Sequence, residues 1–155
     1  MQKPLNIGKE KALQKIMQFC AYQERSHGEV KEKLYSFGLY QQEVEELMAK
    51  MIEEDFLNEE RFARAFAGGR FRMKGWGRVK IKYELKKKGV SDYCIRKALQ
   101  QLDEEDYEGK LKSHYEAKLK QLKAEKNIFV RKAKIRSYLL QKGFENELVM
   151  ELLKN

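Results

Sequence analysis

Gly38, Gly89 and Gly143 each close a short apolar stripe, and offsets of 51 and then 54 residues lay one upon the next. In that register Val30, Ile81 and Ile135 superpose, as do Leu34, Leu85 and Leu139. Leu39, Val90 and Phe144 follow the glycine, then Val44, Ile95 and Val149; Met48, Leu99 and Leu153 close the series, and Asp55-Phe56 meets Asp106-Tyr107. A period of this length, with apolar positions three to four apart, belongs to stacked helical units, since one short unit buries too little surface alone. Each unit reads as a short helix, a glycine turn, a second helix and a longer third. The expected division is an N-terminal segment with an extra helix (1–24), a first repeat (25–67), a second repeat with a basic stretch (68–126) and a truncated third (127–155).

Helical spacing extends outside the glycine turns. Leu13, Ile16, Met17 and Cys20 recur at i, i+3, i+4 and i+7, as do Val44, Leu47, Met48 and Met51. Asn58, Ser91 and Asn127 stand where N-caps belong, because a short polar side chain there accepts from an otherwise unpaired helical N–H. The one proline, Pro4, precedes all of these stripes. No segment alternates as a strand would. The expected fold is all-α, with tandem three-helix repeats in an elongated array whose curvature the sequence leaves open.

Two cysteines, Cys20 and Cys94, make no disulfide framework, and neither shares a metal-ligand spacing with His27 or His114. The first twenty residues carry Lys3, Lys9, Glu10, Lys11 and Lys15 and no long apolar run, so the expectations are no signal peptide, no membrane span and a cytoplasmic monomer. The net charge of +9 is unevenly distributed. Residues 61–88 hold eleven basic side chains against Glu84 alone, and residues 110–142 hold eleven against Glu116 and Glu125. Alternating basic and acidic blocks fit either neutralisation inside the array or a cationic surface for nucleic acid or an acidic partner.

The repeat register separates core from surface within the basic stretch. Ile81 and Leu85 have apolar counterparts in every copy, whereas Val79 and Tyr83 do not. Arg78, Lys82 and Lys86 fall at i, i+4 and i+8, a cationic ladder beside Tyr83. The binding candidates are Arg70, Arg72, Lys74, Arg78, Lys80, Lys82 and Lys86, with Trp76 and Tyr83 as aromatic anchors. Reversing Arg78 and Lys82 is expected to weaken binding without unfolding the chain. Trp76, between Gly75 and Gly77, either plugs a gap between units or meets a partner.

Chemistry finds no foothold. Gly69 and Gly75 have the wrong spacing for a phosphate-binding loop, and no Gly-Lys-Ser/Thr follows. Neither histidine has a nucleophile and a third group in attendance, and the paired acids such as Glu45-Glu46 read as solvated helix surface. No catalytic residue, cofactor or metal site is expected.

"RSHGEVKEKLYSFGL", "FLNEERFARAF" and "GWGRVKIKYELKKKGV" together resemble the bacterial RecX regulatory proteins. The resemblance runs from about Leu13 to the C-terminus, and its most specific part is the order Leu57, Arg61-Phe62-Ala63, Gly77, Ile81, Glu84-Leu85 and Lys88-Gly89-Val90. The chain departs from the family's usual pattern at Arg78 (often proline), Lys80 (often arginine), Phe56 (often tyrosine) and Asn58 (often aspartate). The resemblance implies a non-catalytic protein that binds the RecA recombinase filament, lies along its groove, and limits filament growth, ATP hydrolysis and strand exchange. A sequence-independent protein for single- or double-stranded DNA is the alternative.

Overall fold

The computed structural model describes residues 4–154; residues 1–3 and 155, at the outer edges of the segments expected at 1–24 and 127–155, lie outside the described residues. Among the described residues there are nine helices and no strand: α1 (Lys9–Tyr22), α2 (His27–Ser36), α3 (Gln41–Glu53), α4 (Glu59–Lys74), α5 (Arg78–Lys87), α6 (Asp92–Gln100), α7 (Glu104–Gln121), α8 (Ile128–Gln141) and α9 (Asn146–Leu153). They pack in threes: α1 with α2 and α3, α4 with α5 and α6, and α8 with both α7 and α9. Each unit therefore starts with its longest helix. The boundary expected at 67/68 falls within α4, and counted from the long helices the third unit has all three.

Local chemistry explains where helices begin. Ser26, Asn58, Ser91, Asp103 and Asn127 each accept a backbone N–H of the helix they open. The three register glycines all adopt left-handed backbone, at φ 81°, 79° and 97°. That conformation turns the chain after α2, α5 and α8 at little steric cost to glycine. Val30, Ile81 and Ile135, with Leu34, Leu85 and Leu139, are all within 1% of complete burial. Each such side chain contributes about 1.5–3 kcal/mol by leaving water, so three equivalent pairs anchor three equivalent units. The register fails after the second helix of the repeat. α6 has 9 residues against 13 in α3, which leaves Phe56 in a turn and places Tyr107 inside α7.

Two separate cores result. Ala12 to Leu57 form the first unit's core, whereas a second core runs continuously from Phe62 to Leu153 through units two and three. An aromatic contact joins the latter pair, where Phe71 stacks on buried Tyr107 at 5.8 Å; within the third unit Tyr107 then meets Phe144 at 5.2 Å. The join between the first and second units is polar. Arg61 Nε donates to Glu24 at 2.8 Å, and Lys88 lies 3.5 Å from Glu29. The accessible surface of 10563 Å² exceeds the roughly 8200 Å² expected of a compact chain of this mass, consistent with an elongated array.

Candidate interaction surface

The nine binding candidates do not form one patch; the end of α4, the turn at Trp76 and α5 distribute them to different neighbours. Lys80 reaches back to the turn between α4 and α5, where its ammonium lies 4.6 Å from the Trp76 ring centre. Arg70 sits 5.5 Å from Trp76 and 4.6 Å from Phe66, and Lys88 lies 5.7 Å from Phe66. Phe66 and Trp76 meet edge-on at 6.3 Å. Cations and rings thus alternate in the order Lys88, Phe66, Arg70, Trp76, Lys80. Trp76 is half-buried in this stack, so it packs within the second unit while keeping part of its ring accessible.

Lys82 and Lys86 lie elsewhere, along the groove between α5 and α6, with Asp92, Ile95, Arg96 and Leu99. Two positions along a helix turn a side chain by roughly 200°, which separates Lys80 from Lys82. Lys82 and Lys86 are exposed; the nearest carboxylate oxygen to Lys86 is that of Asp92, 3.9 Å away. Tyr83 is 62% exposed beside Lys87. Arg72 and Lys74 are exposed at the end of α4, Arg72 in a shallow groove with Glu105, Asp106 and Lys110 of α7.

Arg78 does not belong to the accessible ladder. Its side chain is 19% exposed and bonds Glu145 at 2.8 Å and Glu104 at 2.5 Å. Its guanidinium covers the Tyr107 ring at 3.7 Å, and its backbone N–H donates to the Tyr107 hydroxyl at 2.9 Å. Burial disfavours its charge, but bonds to Glu145 and Glu104 outweigh that and raise its pKa. Burial, then the Glu145 hydrogen bond, also pushes the Tyr107 hydroxyl well above its usual pKa. Reversing Arg78 would set a carboxylate against two others, so the expectation that this residue can be reversed without structural cost is corrected. The acids that neutralise it lie 26 and 67 residues away, beyond any local pattern.

The third unit carries a related arrangement outside the original candidates. Tyr138 has Lys118 at 4.9 Å and Lys142 at 5.8 Å, and His114 meets the ring edge-on at 6.2 Å. Lys142 is the register counterpart of Lys88, which is the sequence signal that could have found it. Arg61 pairs with Asp55 at 3.1 Å as well as with Glu24, a structural use of the acidic run before it. Among the described residues no group of three or more His, Cys, Asp or Glu could hold a metal ion, and no helix is long and apolar enough to cross a membrane.

Residues 58–99 match the model of the second three-helix domain of RecX, and residues 104–153 match that of its third. The chain belongs to the RecX family. It is 28% identical over 145 residues to the regulatory protein RecX of Prosthecochloris aestuarii, covering 92% of this chain and 91% of that relative. It is 28% identical over 152 residues to the RecX of Thermotoga maritima, covering 97% and 88%. The Geobacillus kaustophilus RecX is also 28% identical over 145 residues, covering 93% of this chain, but the match spans only 53% of that longer protein. The fold resembles that of the crystal structure of RecX from Lactobacillus salivarius, with a TM-score of 0.84 over 94% of each chain at 23% identity. The matched boundaries at 58 and 104 lie where α4 and α7 begin, so RecX domains coincide with units that start at the long helix.

Proposed function

We propose that this chain is a non-catalytic modulator, mainly an inhibitor, of a RecA-type recombinase, acting as a cytoplasmic monomer on the RecA–DNA filament. Membership of a family named for regulation carries the reading. The physical arrangement supports it: an elongated array can touch more than one subunit of a helical filament, and the accessible cations on α5 suit acidic protein or DNA phosphate. Bridging adjacent subunits would block monomer addition and hold one filament state, thereby lowering ATP hydrolysis and strand exchange. No bond is made or broken by the modulator.

The cation–aromatic stacks at Trp76 and Tyr138 favour a second reading, sequence-independent binding of single- or double-stranded DNA. RecA-type ATPase on single-stranded DNA, with this chain titrated, separates the two. Inhibition well below one copy per recombinase is expected of a filament modulator. Inhibition only at DNA saturation supports competition, with a log–log salt slope of about −0.7 per phosphate on single strands. No effect on the cognate recombinase would overturn the functional reading. Lys82→Glu with Lys86→Glu, at exposed positions, should weaken inhibition about tenfold while leaving thermal unfolding nearly unchanged; undiminished inhibition would remove the α5–α6 groove from the interface.

A further inference from the structure

α8 is longer than its counterparts. Aligned at Gly38, Gly89 and Gly143, α2 and α5 have 10 residues and α8 has 14, the addition being a turn at its start, Ile128–Arg131. At the corresponding places in the earlier units the outermost positions, Gln23 and Lys74, are likewise exposed, but the chain after them packs into the array. Ser26 is buried, and Trp76-Gly77 sits between Phe66 and the Lys142–Gly143 backbone. In the third unit this place instead carries three consecutive apolar side chains in water: Ile128 55%, Phe129 83% and Val130 37% exposed.

The added turn is held in shape. Asn127 Oδ1 accepts from the N–H groups of Phe129 at 3.0 Å and Val130 at 3.3 Å. Arg131 Nε donates to the Glu125 carbonyl at 3.1 Å, tying the turn to the end of the preceding loop. An apolar group presented on a fixed turn loses little freedom on docking, which is the property of an interface anchor. Lys123, Lys126 and Lys132 flank it in sequence, whereas the one acid between Glu116 and Glu145, Glu125, already accepts from Asn127 N–H and lies 3.9 Å from Lys134. The local field therefore selects an acidic counterpart. Phe129 alone offers a stacking face to bases, and Ile128 and Val130 on either side of it do not. A bilayer takes up an amphipathic helix along its length, yet beyond its first turn α8 buries Ile135 and Leu139 in the core.

Resting on the function proposed above, we infer that Ile128–Val130 is an anchor that enters an apolar pocket rimmed by carboxylates on the recombinase protein. The test compares wild type with Ile128→Ser/Phe129→Ser for binding to recombinase-coated single-stranded DNA, bare single-stranded DNA and phosphatidylserine vesicles. The expected result is filament binding weakened about tenfold or more, with unchanged thermal unfolding and unchanged binding to bare DNA. Phe129→Leu should retain most of the affinity, and Lys123→Glu/Lys126→Glu should weaken filament binding comparably. Equal filament binding by wild type and the double serine variant overturns the anchor alone. A wild-type chain that binds no filament overturns the functional reading and the anchor with it. Equal loss on bare DNA, or loss confined to vesicles, overturns it in favour of nucleic acid or lipid.

Discussion

Gly143 and Gly89 share a register position and a left-handed backbone, yet they differ in what surrounds them. A methyl group on Gly89 would meet nothing within 4 Å, whereas one on Gly143 would overlap Lys80, including its backbone nitrogen at 2.7 Å. Val79 N–H donates to the Gly143 carbonyl at 2.9 Å, so the chains approach through their main-chain atoms. Gly89→Ala should cost about 1–2 kcal/mol, the steric penalty of left-handed backbone for an L-residue. Gly143→Ala should cost about 3 kcal/mol or more because the interface between units must also open. Urea unfolding of the two variants checks the contrast; equal losses would mean that the junction relaxes freely. The shared turn was legible in the sequence because three glycines follow equivalent apolar stripes. The close approach was not, since its partners come from different units.

Several helices converge on His114. Lying on α7, it bonds through Nε2 to the Gly75 carbonyl at 2.9 Å, where α4 ends, and its ring meets Tyr138 of α8 and Phe144 before α9. Burial lowers its pKa against the opposing effect of the Gly75 bond, and Lys142 and Lys110 further disfavour a second positive charge. The neutral ring therefore favours the fold. Its contribution is complete above the ordinary histidine pKa of about 6.5 and is lost as pH falls through the depressed folded value. Melting at pH 7.5 and 5.5 should show a larger acid loss for wild type than for His114→Gln; parallel losses would contradict this linkage. Sequence pattern revealed the helices on which these groups lie, because caps and apolar spacing are local. It did not reveal this meeting of helix ends, nor that Arg78 leaves its stripe for Glu104 and Glu145.

At the scale of the molecule, the continuous core of units two and three contrasts with the separate core of the first. Glu24–Arg61 and Glu29–Lys88 span the intervening seam. Ion pairs that remain partly open to solvent, as these half-buried ones do, contribute about 1 kcal/mol each and weaken with salt, less than a shared aromatic core. Hydrogen exchange should consequently show amides of residues 12–57 opening at lower free energy than those of residues 62–153, with a wider gap at 0.5 M salt. A single cooperative opening free energy at both salt concentrations would argue for one folding unit. Turning the first unit about the seam exchanges ion pairs for water, while turning the third against the second separates Phe71 from Tyr107 and Arg78 from Glu104 and Glu145. The joint expected to yield is therefore the one between the first and second units. If the proposed filament changes pitch under the molecule, the mismatch is expected to fall on that joint while units two and three keep their own spacing.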